Sequence, residues 1–223
     1  MTPPILAKQN SRTRMGWVTR AVVLLSGGLD STTTLYLAKN QGYKCYALIF
    51  DYGQRHIREL RSAVAVAQRA KVPCQLIKIK LPWKGSSLLD KSKKLPVKLS
   101  RNIPSTYVPA RNTIFLSFAL SYAEAIGAKA IFIGANAIDF SGYPDCRPDF
   151  YRAFQQVISK GTKAKRIKVL TPLIKMSKAQ IIRLGLKLGA PLGLTWSCYK
   201  GGAKPCGACD SCRLRARGFK GII

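Results

Sequence analysis

The chain has 223 residues, enough for one sizeable domain with at most a small appendage. It carries 38 Lys plus Arg against nine Asp plus Glu, a formal charge of +29, which suits non-specific attraction to polyanions. No apolar run approaches the ~18 residues that span a bilayer, and Ile5-Leu6-Ala7 is too short for a signal-peptide core, so the expectation is a cytoplasmic protein with no membrane partner.

Residues 1–19 read as a basic, poorly ordered extension. Ala21-Val22-Val23-Leu24-Leu25 is a short β-branched run bounded by glycine, the pattern of a buried strand. Ser26-Gly27-Gly28-Leu29-Asp30-Ser31-Thr32 follows it and leads into a predicted helix over residues 33–41. The glycines permit a tight turn with bare N–H groups. Asp30, Ser31 and Thr32 are residue types that cap a helix start. A helix N-terminus with free N–H groups is an anion site, best suited to phosphate. No Gly-Lys-Ser/Thr follows the glycines, so this is not a Walker A loop. It resembles instead the Ser-Gly-Gly-x-Asp-Ser loop of the ATP pyrophosphatase (PP-loop) superfamily. That resemblance implies cleavage of ATP between its α and β phosphates, with residues 25–35 (Leu25, Ser26, Gly27, Gly28, Leu29, Asp30, Ser31, Thr32, Thr33, Thr34, Leu35) as the nucleotide seat.

A second buried strand is predicted over residues 43–50, ending in Asp51-Tyr52-Gly53-Gln54-Arg55-His56. Ligands of open α/β sheets bind beyond the carboxyl ends of parallel strands. Asp51 should therefore emerge at the same edge as Asp30, and the pair offers oxygen ligands to a Mg²⁺ on ATP. His56 is the only histidine. A helix over residues 55–70 precedes a third strand over 74–79. Cys45 and Cys74 read as small apolar core residues. Residues 81–110, rich in Lys, Ser and Pro, are long for a plain connection and suggest a binding or lid loop. Arg111 opens the next helix, over 113–126, where its guanidinium suits a phosphate or carboxylate.

A fourth strand over 130–134 runs into Asn136 to Pro148, a polar and aromatic loop holding Asp139, Tyr143, Asp145, Cys146 and Arg147. Asn or Asp can read the edge of a purine-like base, and Tyr can stack on it. A helix over 149–159, a short strand over 167–170 and a helix opening at Ser177-Lys178-Ala179-Gln180 complete the α/β pattern. The expected fold is an open parallel sheet with helices on both faces, over residues 20–192.

Residues 193–223 hold Cys198, Cys206, Cys209 and Cys212. Seven cysteines in a cytosolic chain point to metal or catalysis rather than disulfides. Four thiolates and no histidine favour one closed, structural Zn²⁺ per chain, with an iron–sulfur cluster as the main rival. Arg213, Arg215, Arg217 and Lys220 follow, either as solvated residues or as the nucleic-acid face of a zinc ribbon.

Together these motifs resemble the QueC family of queuosine precursor biosynthesis, from about Ala21 to Phe219. The matching pieces are the glycine loop, Asp51 to His56, Gly134 to Asp139, Ser141 to Pro148, and Thr195 to Cys212. One departure is Ala110, where the family usually has glycine. The resemblance implies two ATP-dependent steps at one site. A 7-carboxy-7-deazaguanine carboxylate is adenylated and ammonia displaces AMP; the resulting amide is then adenylated and loses AMP as the nitrile, 7-cyano-7-deazaguanine, forms. It implies catalytic roles for Asp30, Asp51, His56, Arg111 and Asp139. Substrate contacts fall to Gln54, Arg55, Asn112, Asn136, Asp139, Tyr143, Asp145 and Arg147. ATP, Mg²⁺ and free ammonia are the expected small-molecule partners, and a homodimer the expected assembly. His56 and Asp139 are the candidates for a general base. The rival readings are a PP-loop tRNA-thiolating enzyme using Cys146, and a zinc-ribbon nucleic-acid-binding protein.

Overall fold

The computed structural model describes residues 18–90, 92–95, 103–136 and 142–222. Asp139 and residues 1–17 of the basic extension lie outside the described residues. Five strands form one sheet: β1 (Arg20–Leu24), β2 (Lys44–Asp51), β3 (Cys74–Lys78), β4 (Ala130–Phe132) and β5 (Lys168–Leu170). Their order is β3-β2-β1-β4-β5 and every pairing is parallel. The order reverses between β1 and β4, so the crevice for a ligand opens beyond the carboxyl ends of those two strands.

Side chains alternate across the sheet as period-two geometry demands. Val22, Leu24, Leu48, Phe50 and Ile131 face one layer of helices, α3 (Arg111–Ala125) and α4 (Pro148–Gly161). Ala21, Val23, Ala47, Ile49 and Phe132 face the other, α1 (Leu29–Asn40) and α2 (Arg58–Arg69). Both faces of β1 are covered, which is why its sequence is an unbroken apolar run. A fifth helix, α5 (Lys178–Lys187), packs beside α1, and α6 (Asp210–Phe219) beside α5. Gly185 makes the first contact possible, because a Cβ there would lie 2.7 Å from Thr33 Oγ1. Ser177 and Gln180 form a complete capping box at the start of α5. No helix among the described residues is long and apolar enough to cross a membrane.

Three expectations change. Cys45 is buried as expected, but Cys74 is exposed, because β3 is the edge strand. Asp30, Ser31 and Thr32 do not cap α1: the helix starts at Leu29, with Gly28 in the cap position, and those residues fill its first turns. Helix α3 starts at Arg111, two residues early, after Ala110 in a left-handed conformation (φ 52°, ψ 26°). Asp145 makes that early start possible by accepting a hydrogen bond from the Asn112 N–H at 2.9 Å.

Candidate active site

A cavity of about 300 Å³ opens at the β1/β4 reversal, beyond the carboxyl ends of the strands. Its floor is the glycine loop. Gly27 has φ +80°, and a Cβ on it would sit 2.4 Å from the Glu59 carbonyl oxygen and 2.6 Å from the Ala63 nitrogen. Only glycine lets the loop lie this close to α2. On its other side the Gly27 carbonyl accepts the Trp196 N–H at 2.9 Å. Gly134 plays the matching part just beyond β4, where a Cβ would meet the Asp30 and Ser31 backbone at 3.0 Å.

Within the loop, Ser31 Oγ accepts the Ser26 N–H (3.2 Å) and lies 3.0 Å from Ser26 Oγ. The first N–H of α1 to bond back along the chain is that of Thr32, to Gly28 O at 3.1 Å. Those of Leu29, Asp30 and Ser31 are the orphan donors of a helix start, on residues that line the cavity. They form an anion seat with the helix dipole behind it.

Asp30 is held by two residues from distant parts of the chain. Lys178 Nζ donates to its Oδ1 at 2.8 Å and its Oδ2 at 2.7 Å, and Asn136 Nδ2 donates to Oδ2 at 3.2 Å. Lys178 also lines the cavity. A cation thus stands beside the anion seat, although no lysine follows the glycines in sequence. Residue type gave no signal for it; only the α1–α5 packing brings it there.

The opposite wall carries buried and half-buried side chains rather than backbone donors. Arg111 enters from the start of α3 and its guanidinium stands 5.9 Å over the Tyr52 ring, with a hydrogen bond to the phenol oxygen at 3.4 Å. Burial raises the Tyr52 phenol, with Arg111 pulling the other way. Glu59, in the first turn of α2, also lines this wall. Its side chain is 26 % exposed, and it looks into the cavity. Burial pushes its carboxyl up to about 7, with Arg111 countering. Tyr143 completes the wall, its hydroxyl 2.7 Å from Thr106 Oγ1.

Several sequence-predicted residues serve the frame instead. Asp51 lies outside the lining of the cavity that Asp30 lines: its Oδ1 accepts the Gly53 N–H at 3.4 Å, and it lines a separate pocket. Gln54 touches the cavity, but its amide clips its own loop through Tyr52 N and Phe50 O. Arg55 donates to the carbonyls of Ser87 (3.0 Å) and Lys93 (2.9 Å), tying down the long connection after β3. Asn112 also lines the cavity, while its amide donates to Asp145 O at 3.0 Å and Cys146 Sγ at 3.1 Å, so Asn112 and Asp145 bind each other. Asn136 is fully buried against Asp30. Arg147 forms the cap position of α4 and does not line the cavity. His56 also lies outside the lining. It sits under Gly201, 4.0 Å from Glu59 Oε1, and burial lowers its imidazole.

The four cysteines come together at the C-terminus, with all sulfurs within 4.8 Å of one another. Four sulfurs at ~2.3 Å from one ion would sit ~3.8 Å apart, so a metal needs only a contraction of about 1 Å. The Cys206 N–H points at Cys198 Sγ (3.3 Å) and the Cys209 N–H at Cys206 Sγ (3.4 Å), donors suited to thiolates. Burial pushes the Cys212 thiol up to about 12; at Cys206 burial also raises the thiol, but backbone N–H groups outweigh it and draw it down to about 6. So close a set sheds all its protons only with a cation at its centre.

This cluster also shapes the cavity. Trp196, Ser197, Ser211 and Arg215, which flank the cysteines, form one of its walls. Arg215 is not a solvated tail residue. It donates to Thr195 Oγ1 (2.7 Å) and Leu192 O (3.0 Å), and burial lowers its guanidinium.

A family model described as "Queuosine biosynthesis protein QueC" matches residues 20–223. A 7-cyano-7-deazaguanine synthase of Nostoc sp. is 57% identical over 211 residues, covering 90% of this chain and 92% of the relative. One from Thermoplasma volcanium is 50% identical over 207 residues, covering 90% and 86%. Among solved structures, NMN synthetase from Francisella tularensis superposes with a TM-score of 0.52 at 16% identity, over 88% of this chain and 74% of that one. That last likeness bears on the fold alone.

Proposed function

The chain belongs to the QueC family of queuosine biosynthesis proteins, and from that premise we propose that it converts 7-carboxy-7-deazaguanine, ATP and ammonia to 7-cyano-7-deazaguanine. The single observation that carries the reading at atomic level is the cavity at the sheet reversal. It has an anion seat at one end and a set of polar, largely half-buried side chains at the other.

The α1 N-terminus and Lys178 take the pyrophosphate part of ATP, where charge builds as the α–β bond breaks. Asp30 aligns Lys178 through both its oxygens and is the carboxylate at the loop that would hold a magnesium on ATP by sharing those oxygens with Lys178; Asp51 lines a different pocket. Arg111, Tyr52 and Tyr143 face the acceptor. A carboxylate oxygen is a poor leaving group, and bonding it to AMP lets ammonia displace it; bonding the amide oxygen to AMP likewise permits its loss as the nitrile forms. Nostoc and Thermoplasma relatives that carry the synthase name support this reaction over thiolation. So does the cavity: Cys146 is the one cysteine among the described residues that lines it, and a cysteine-based sulfur relay needs a second.

The four cysteines hold one structural Zn²⁺, which fixes the Trp196–Arg215 wall rather than joining the chemistry, since four sulfurs leave no open position. Residues 193–223 thus act as part of the active-site domain. A homodimer is carried over from the family resemblance, and light scattering tests it. The test of the reaction is acid-dependent exchange of labelled pyrophosphate into ATP. Exchange that needs the deazaguanine acid is expected; ADP release, or exchange indifferent to the acid, contradicts the reading.

A further inference from the structure

We propose that Glu59 is the catalytic base that removes protons from nitrogen in the amide- and nitrile-forming steps, an inference that rests on the reaction proposed above. The balance of that reaction sets the need. Adenylation of the acid forms a P–O bond from a carboxylate oxygen and releases pyrophosphate with no proton to place. Attack of ammonia forms a C–N bond, breaks the C–O bond to AMP and sheds one proton. Adenylation of the amide oxygen gives a cationic nitrogen, and when the C–O bond to AMP breaks, two protons leave as the C≡N bond forms. The later steps need a proton acceptor, whereas the first does not.

The cavity offers few groups for that work. Asp30 lines it, but both its oxygens are taken by Lys178 and one by Asn136. His56 is folded away under Gly201, outside the lining. Glu59 lines the acceptor end, and its carboxylate holds no hydrogen bond among the described residues. Its position is fixed by the chain itself. The Glu59 carbonyl oxygen lies 2.4 Å from where a Gly27 Cβ would be, so the first turn of α2 is pressed against the glycine loop. A carboxyl there stands beside whatever acyl group is joined to the phosphate. The charged and titratable groups around it are Tyr52 from the β2 exit, Arg111 from α3 and His56 from its own helix start. Burial raises the carboxyl to about 7, the range in which a base both accepts and returns protons at neutral pH. The sequence hides this role, because Glu59 also reads as an ordinary acidic residue in the first turn of a helix.

The experiment supplies the amide, ATP and Mg²⁺ to the zinc-loaded protein and to Glu59→Gln, so that the titration of ammonia does not enter. Nitrile formation is expected to fall by about 100-fold or more in the variant. The wild-type rate is expected to rise with pH to a plateau through a midpoint near 7, and the variant to lose that limb. Pyrophosphate exchange driven by the acid, which needs no base, is expected to fall by less than about tenfold. Nitrile formation within about threefold of wild type, with the wild-type pH profile, overturns the proposal. So does an equal loss of exchange and nitrile formation in a variant with an unchanged unfolding midpoint. If Glu59→Gln does not fold, the wild-type profile decides, and a flat rate from about pH 6 to 8 overturns it. Acid-independent exchange in the wild type would instead sink the underlying reaction, whatever Glu59 does.

Discussion

The two ends of the cavity are built from different materials. The end proposed for the phosphates is backbone: a glycine loop, the free N–H groups of α1, and one lysine delivered by a neighbouring helix. The end proposed for the acceptor is side chains: Tyr52, which is buried, and the half-buried Glu59, Arg111 and Tyr143, all charged or titratable. Backbone donors are set by the fold and tolerate little change in shape. Buried ionisable side chains are set by their neighbours and respond to pH. Damage at the first end should therefore stop the reaction or the fold outright, while damage at the second should split one step from another.

The largest effect is expected at Asp30. Asp30→Ala leaves Lys178, only 15 % exposed, without its partner and should cut AMP formation by about 10³-fold or more, with the metal content of the protein unchanged. Gly27→Ala comes next. It forces a Cβ into the α2 backbone at positive φ and should cost about 2–4 kcal/mol in chemical denaturation. Gly28→Ala, whose Cβ would meet nothing nearer than 3.5 Å, should cost under about 1 kcal/mol. Equal losses at the two glycines would contradict the close approach of loop and helix. Stripping the proposed Zn²⁺ from the four cysteines with a chelator should lower the unfolding midpoint by about 5 °C or more. It should also shift the fluorescence of Trp196, whose indole N–H donates to Cys198 O at 2.8 Å.

Glu59 supplies a pH-dependent contrast. Its folded-state carboxyl lies near 7 against an ordinary 4.5, so the fold favours the neutral form. That stability is fully present below about pH 4.5 and is lost as pH rises through 7. Glu59→Gln should leave stability unchanged near pH 4 and raise it by on the order of 1–2 kcal/mol at pH 8; an equal effect at both pH values would place Glu59 in open water. The smallest effect is expected at Ala110, held at φ 52°. Ala110→Gly removes the left-handed strain, partly offset by a looser unfolded chain, and should stabilise by about 0.5–1 kcal/mol.

The phosphate end was legible in the sequence because its signals are local. Strand, glycine turn and helix are adjacent in the chain, and the cysteine spacing is equally compact. The acceptor end was only partly legible. Arg111, Tyr143, Asn112 and Gln54 line it, although the side-chain amides of Asn112 and Gln54 are also spent on the frame, while Asp145 and Arg55 bind the frame without lining the cavity. Polar residues in loops have two uses, and sequence does not separate the residue that faces a ligand from the one that ties down the loop. Lys178 and Glu59 went unread for the complementary reason. Each is an ordinary helix-surface residue until α5 or α2 is packed against the glycine loop. The exposed Cys74 follows the same rule, since strand order, which local patterning does not encode, made β3 an edge.

The central claim is that one cavity activates oxygen twice, first on an acid and then on an amide. Quantitative product analysis with ATP, Mg²⁺, ammonium and 7-carboxy-7-deazaguanine tests it most directly. The account predicts two AMP and two pyrophosphate for each nitrile, with the amide appearing and then being consumed. One AMP per product with the reaction stopping at the amide, or ADP in place of AMP, would contradict it.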